Sequence, residues 1–200
     1  MTVVLDYGMG NLASVCRAIR HLGHEAVVRD RVGDAPRLIL PGVGAFGAAM
    51  DRLAPIVDEI RGYAASGRPL LGICLGQQLL FEQSEELGQF EGLGLIRGRV
   101  RYFGTDLGLK VPHMGWNEVS FSDRVRQPGN LGFGLQTGDQ VYFVHSLYTE
   151  CADPADVAAW AEYGVRFAAA VQRDNVWGTQ FHPEKSGPVG LKILANFLTC

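Results

Sequence analysis

The sequence predicts an α/β domain with a mixed, mostly parallel central sheet flanked by helices and extended by antiparallel β segments. Three observations carry this expectation. The first half alternates short apolar runs with segments of helical spacing, the second half is a succession of short β-like segments punctuated by glycine, and an amphipathic helix closes the chain. With 200 residues, 47% of them hydrophobic, the chain can bury one sizeable core, and residues 1–200 are expected to form a single domain.

The opening run Val3-Val4-Leu5 has the pattern of a strand buried on both faces. It ends in Asp6-Tyr7-Gly8-Met9-Gly10-Asn11, where Asn11 can cap a helix whose apolar face reads Leu12, Val15, Cys16, Ile19 and Leu22, with Gly23 closing it. Gly8-x-Gly10 supplies two glycines of a dinucleotide fingerprint, but Ala13 stands at the third position and Asp30 is the only acidic candidate for a ribose. That is a weak indication of nucleotide binding. Ala26-Val27-Val28 and Leu38-Ile39-Leu40 read as the second and third strands. The third runs into Pro41-Gly42-Val43-Gly44-Ala45-Phe46-Gly47, a glycine-rich loop at the sheet edge where the crevice of an open α/β sheet lies. Its backbone N–H groups can turn toward a developing negative charge, although an ordinary strand-to-helix turn accounts for the loop taken alone.

Pro69-Leu70-Leu71-Gly72-Ile73 is a fourth buried strand, and residues 75–81 then shift to helical spacing. Cys74 stands at the junction, between Gly72 and Gly76. This G-x-C-x-G is the thiol version of a nucleophile elbow, a sharp strand-to-helix turn that small flanking residues permit. Such a turn sets the sulfur at a helix N-terminus, where the dipole and free N–H groups favour a thiolate and can hold an oxyanion. For Cys74 alone, a buried structural thiol is an equally good account. Beyond residue 86 glycines punctuate β-like segments at 95–103, 118–121, 141–147, 168–171 and 176–181, spaced as in antiparallel hairpins. Gly187-Pro188 opens the last helix, with Leu191, Leu194, Ala195 and Leu198 on one face.

The formal net charge of −3 is small and dispersed, which argues against nucleic acid or an anionic membrane as partner. The first strand has no basic region ahead of it, and no apolar run approaches a membrane span. The four cysteines, Cys16, Cys74, Cys151 and Cys200, lack metal-ligand spacing and are sparser than in a disulfide scaffold. The expectation is a reduced, cytoplasmic protein with no metal and no cofactor.

A cysteine nucleophile needs a base that takes its proton and returns it to the leaving group. In Trp177-Gly178-Thr179-Gln180-Phe181-His182-Pro183-Glu184-Lys185 a strand ends in His-Pro-Glu. An imidazole has the right pKa, and a carboxylate on its far nitrogen fixes tautomer and orientation. Taken singly, His182 is a loop histidine and Glu184 a solvated charge. Together with the elbow cysteine, Cys74, His182 and Glu184 are better read as a Cys-His-Glu triad, recognised by roles and not by order.

Gly72-Ile73-Cys74-Leu75-Gly76-Gln77-Gln78 with His182-Pro183-Glu184 resembles the class I, triad-type glutamine amidotransferases, whose fold is flavodoxin-like with added β structure. Within that family the chain is similar, from end to end, to the glutaminase subunits of imidazole glycerol phosphate synthases. The segments that carry the closer similarity are Asp6-Tyr7-Gly8-Met9-Gly10-Asn11, Pro41-Gly42-Val43-Gly44-Ala45-Phe46, Val111-Pro112-His113-Met114-Gly115-Trp116-Asn117, Tyr142-Phe143-Val144-His145-Ser146 and His182-Pro183-Glu184-Lys185-Ser186. The resemblance implies that Cys74 attacks the carboxamide of L-glutamine, with His182 as general base. It implies an oxyanion hole from the backbone of Leu75 and of Gly42-Val43, and a glutamine pocket that includes Gln78, Glu86 and Ser146. Leu147 follows Ser146 where the family pattern has tyrosine.

The same resemblance implies a heterodimer with a cyclase subunit, a (β/α)8 barrel, which receives ammonia through an internal passage and makes imidazole glycerol phosphate and an aminoimidazole carboxamide ribotide in histidine biosynthesis. Asn11, Met114, Trp116, Tyr142 and Lys185 are the residues expected at the partner interface. Two loops, Gly8-Met9-Gly10-Asn11 and His113-Met114-Gly115-Trp116-Asn117, are expected to flank the crevice, and Trp116 as an exposed anchor competes with Trp116 as a cap over the β-rich half. Glutaminase subunits of anthranilate synthase and pyridoxal phosphate synthase share the elbow and the His-x-Glu but are not expected to carry Pro-His-Met-Gly-Trp-Asn. A thiol hydrolase active without a partner, and a binding protein that has lost catalysis, complete the alternatives.

Overall fold

The structure is a computed structural model that describes residues 1–104 and 108–200. Five strands lie parallel in the order β2 (Ala26–Arg29), β1 (Thr2–Leu5), β3 (Leu38–Gly42), β4 (Leu70–Cys74) and β13 (Val176–Thr179). The same sheet continues antiparallel through β12 (Val165–Arg173), β11 (Val157–Tyr163), β8 (His113–Phe121) and β9 (Asp139–His145). A smaller sheet is ordered β10 (Leu147–Cys151), β7 (Ile96–Tyr102), β5 (Phe81–Ser84) and β6 (Phe90–Glu91).

Period-two alternation decides which helices cover which face. Val4, Ile39, Leu71 and Ile73 pack with Val15 and Ile19 of α1 (Leu12–His21) and with Leu194 and Phe197 of α5 (Gly187–Leu198). Their neighbours Val3, Leu5, Leu38, Leu40 and Leu70 pack on the other face with Phe46 and Leu53 of α2 (Phe46–Leu53) and with Ile60 and Tyr63 of α3 (Val57–Ala65). Asn11 caps α1 as expected, its side chain accepting from Ser14 N–H at 3.4 Å, and Gly23 adopts φ +80° just beyond its end. Among the described residues no helix is long and apolar enough to cross a membrane.

Three local expectations need correction. The helix after Cys74, α4 (Leu75–Leu79), stops before Phe81. The Leu79 carbonyl accepts from Leu93 N–H at 2.8 Å and the Leu80 carbonyl from Leu95 N–H at 2.8 Å, so the following segment takes groups that a longer helix would use, and Phe81 enters β5. Residues 113–117 are not a loop but the first half of β8, paired residue for residue with β9. Two helices, α2 and α3, fill the stretch between the glycine loop and Arg68, where the sequence reading placed no element.

Candidate active site

The site is built at the C-terminal edge of the parallel strands. β4 ends at Cys74 and α4 begins at Leu75 with no intervening residue. Such a turn forces Cys74 to φ 57°, ψ −111°, a conformation rare for a residue with a side chain and one that survives only where its surroundings over-determine it. The flanking glycines do this. A Cβ on Gly72 would lie 2.5 Å from the Gly76 carbonyl oxygen, and one on Gly76 would lie 1.8 Å from the Leu40 carbonyl oxygen. The helix therefore sits against the sheet backbone itself. Gly42, in register with Cys74 on β3, is equally hemmed in, 2.9 Å in the same sense from Leu75 Cβ and 2.5 Å from Tyr7 Oη. Tyr7 Oη donates to the Pro41 carbonyl at 2.8 Å, and burial raises its pKa far above the usual phenol range.

β13 lies beside β4 with Thr179 opposite Ile73, and the chain runs on through Gln180 and Phe181 to His182. His182 N–H donates to the Tyr142 carbonyl at 3.0 Å, and the next residues turn so that His182 Nδ1 meets Glu184 Oε1 at 2.8 Å. Both side chains are almost wholly shielded, at 3% and 1% exposure. The second ring nitrogen, Nε2, is buried without a hydrogen-bond partner, as is Glu184 Oε2. Burial alone would lower the His182 pKa, but the neighbouring Cys74 and Glu184 side chains override it and raise it to about 10. The ring can thus hold a proton beside the sulfur.

A cavity of about 310 Å³ opens over Cys74 and His182. Val43, Gly44 and Leu75 line it together with Gln78, Glu86, His145, Ser146 and Leu147. Of the acidic run Glu82, Glu85 and Glu86, only Glu86 faces this cavity. Glu82 accepts from Gly98 N–H at 2.9 Å and Glu85 pairs with Arg101 at 3.8 Å. Glu86 Oε2 accepts the N–H of Phe46 at 2.5 Å, capping α2 in place of Ala45, which offers no side-chain cap. Gln78 is buried, donating to the Leu147 carbonyl at 3.3 Å and to Gln180 Oε1 at 3.0 Å. A larger cleft, about 480 Å³ between Arg31, Glu59, Tyr63 and Arg68, holds none of these residues.

The residues expected at an interface are exposed to different extents. Met114 and Trp116 are 61% and 56% exposed on β8, so Trp116 is not folded back as a cap. Its ring meets that of the half-buried Tyr142 edge-on at 6.2 Å. Lys185 is exposed in the turn after His182, and Asn11 lines a small void behind the loop with Gly42, Val43, His182 and Glu184. Sequence reasoning missed Gln180, whose Nε2 lies 4.0 Å from Cys74 Sγ. Its spacing of two from His182 was the available signal. Among the described residues no group of three His, Cys, Asp or Glu is placed to hold a metal ion.

A model of the family described as glutamine amidotransferase class-I matches residues 3–200. The chain is 51% identical to the imidazole glycerol phosphate synthase subunit HisH of Syntrophotalea carbinolica over 98% of each chain. It is 48% identical to the protein of that name from Methanosarcina barkeri over 98% of this chain and 96% of that one. In fold it is similar to the structure of PurLQS from Thermotoga maritima, with a TM-score of 0.77 at 21% identity over 99% of this chain and 97% of that chain.

Proposed function

The chain belongs to the class-I glutamine amidotransferase family, and from that premise we propose that it is the glutaminase subunit of an imidazole glycerol phosphate synthase, acting as one domain over residues 1–200. One observation supports the reading above the others: a strained elbow cysteine shares a cavity of about 310 Å³ with the histidine of a buried His–Glu pair.

In this mechanism the Cys74 sulfur attacks the carboxamide carbon of glutamine, and the carbonyl oxygen takes up the negative charge. The Leu75 N–H at the start of α4 and the Gly42–Val43 peptide stabilise that oxyanion. The carbon–nitrogen bond then breaks, the leaving nitrogen taking the proton that His182 holds on Nε2, and ammonia departs from a γ-glutamyl thioester. Water adds to the thioester with His182 Nε2 as base. The carbon–sulfur bond breaks, glutamate leaves, and the proton taken from water stays on His182 Nε2, which restores the starting state. Glu184 keeps the ring in the orientation that serves both steps. Glu86 supplies negative charge for the substrate's α-ammonium, while Gln78 and Ser146 supply hydrogen-bonding groups.

The relatives' naming as subunits of a synthase supports a partner subunit that consumes the ammonia. The partner is a (β/α)8 cyclase subunit in a heterodimer, docked on the face that exposes Met114 and Trp116, with Asn11, Tyr142 and Lys185 at its margin. Complexes carrying Cys74→Ser test the whole reading. Glutamine-dependent synthesis of imidazole glycerol phosphate should vanish, whereas synthesis from added ammonium salt should persist near the wild-type rate. Substantial glutamine hydrolysis by Cys74→Ser would remove Cys74 as the nucleophile.

A further inference from the structure

Two buried histidines, His113 and His145, have no step assigned to them in this chemistry, although His145 also lines the cavity over Cys74, and the same is true of Asn117 at the end of Pro112-His113-Met114-Gly115-Trp116-Asn117. His113 is stacked between Tyr163 and Phe143, at centroid distances of 4.1 Å and 4.8 Å. Its Nδ1 lies 2.9 Å from His145 Nε2, and its Nε2 lies 3.3 Å from Asn117 Nδ2. His145 Nδ1 in turn lies 2.6 Å from the Leu147 carbonyl oxygen.

The direction of these bonds is fixed from both ends. Burial lowers the pKa of His113 to about 4 and that of His145 to about 3, so at neutral pH each ring carries a single N–H. A carbonyl only accepts, so the His145 proton is on Nδ1, and its Nε2 must accept from His113 Nδ1–H. At the far end Asn117 Oδ1 accepts from Glu118 N–H at 2.8 Å while its Nδ2 donates to the Glu162 carbonyl at 2.9 Å. That orients the amide independently, with an N–H for His113 Nε2. One assignment satisfies every group.

The chain of bonds ends on an atom that matters to the cavity. The Leu147 carbonyl also accepts from Gln78 Nε2, whose second N–H goes to Gln180 Oε1. With both its N–H groups held by the protein, Gln78 presents an acceptor oxygen to an N–H donor such as an ammonium or amide group. We propose that Asn117, His113 and His145 are positioning residues for the substrate pocket, a one-way hydrogen-bond relay that fixes the Leu147 carbonyl and through it the Gln78 amide beside Cys74. This rests on the glutaminase reading. It also gives β8 two duties, since its Met114 and Trp116 side chains are exposed while His113 is buried.

The test uses the chain assembled with its synthase subunit and compares His113→Phe with His113→Asn. Phenylalanine keeps a ring between Tyr163 and Phe143 but has no nitrogen, whereas asparagine keeps a donor near the Nδ1 position and gives up the ring. The relay predicts that His113→Phe raises the KM for glutamine about tenfold, the scale of one buried hydrogen bond, with kcat within about threefold of wild type. His113→Asn should recover most of that loss, and iodoacetamide, which bypasses the glutamine pocket, should alkylate Cys74 equally fast in both. A folded His113→Phe with wild-type KM overturns the relay, as does a His113→Asn impaired as much as His113→Phe. If His113→Phe does not fold, Asn117→Ala carries the same expected rise in KM and the same refutation. A wild-type complex that hydrolyses no glutamine overturns the underlying reading as well, whereas a hydrolysing wild type with an unmoved variant overturns the relay alone.

Discussion

Substituting Gly76 with alanine should cost the protein both stability and chemistry, and the structure sets the size of each. The added Cβ would lie 1.8 Å from the Leu40 carbonyl oxygen and 2.9 Å from the carbonyl carbon. Carbon and oxygen settle at about 3.3 Å or more, so α4 and β3 would have to part by roughly 1.5 Å. No flexible side chain can yield, since both sides of the clash are backbone and Leu40 is fully buried, paired with Gly72 of β4. Overpacking a core costs about 1–3 kcal/mol, and backbone against backbone belongs at or above the top of that range. For a domain of this size about 3 kcal/mol lowers Tm by about 6–12 °C. The molecules that still fold carry Leu75 N–H and Cys74 displaced by about 1 Å, which is enough to cost about a hundredfold in rate. Gly62 supplies the control. It lies exposed in α3 with no atom within 4 Å of an added Cβ, so Gly62→Ala should gain about 0.5–1 kcal/mol and leave activity alone. Thermal unfolding by circular dichroism and a glutamate-release assay read both effects. An unchanged Tm in Gly76→Ala, or an equal loss in Gly62→Ala, refutes the packing argument.

If the proposed cyclase subunit docks on this face, Trp116→Ala should weaken association with it about thirtyfold by calorimetry, the effect of removing one aromatic anchor, while the free chain keeps its Tm because the ring is 56% exposed. Unchanged affinity would move the docking face elsewhere. A second expectation concerns pH. The His182 pKa is raised to about 10 in the fold against about 6.5 in an unfolded chain, so its protonated ring adds stability in full below about 6.5, and the gain is lost as pH rises through about 10. Wild type should therefore lose stability relative to His182→Asn across that interval, read as the difference in urea midpoints. A difference that stays constant with pH would mean that the ring is not held protonated.

The parallel core was legible because its strands are buried on both faces and read as unbroken apolar runs, as in Val3-Val4-Leu5 and Leu38-Ile39-Leu40. The elbow was legible because Gly72 and Gly76 flank Cys74 at positions where a side chain cannot fit. The start of β8 was not, because its pattern is inverted: the apolar Met114 and Trp116 are exposed and the polar His113 is buried. Alternation is informative only where water is outside and hydrocarbon inside, and here a hydrogen-bonded histidine pair occupies the interior. The early end of α4 depends on Leu93 and Leu95, more than ten residues further along, and no local propensity contains that contact. For the cavity, Gln78, Glu86 and Ser146 were expected from resemblance, and the structure sets all three around Cys74. Sorting Glu86 from Glu82 and Glu85 required knowing that α4 gives way to β5 before Glu82 and that β5 ends at Ser84.

β13 is the last strand in the sequence yet stands fifth of nine across the sheet. During synthesis, β4 is complete about a hundred residues before its neighbour exists, and its open edge must stay unpaired or be screened in that interval. The sheet can close only when residues 176–179 slot between β4 and β12, a step of high contact order and a natural candidate for the slow phase of folding. The same insertion delivers His182. A partly made or locally opened chain therefore holds a thiol with no base, and ammonia release begins only when the centre of the sheet has been filled. Slow closure of the sheet and silence of the immature enzyme are one event.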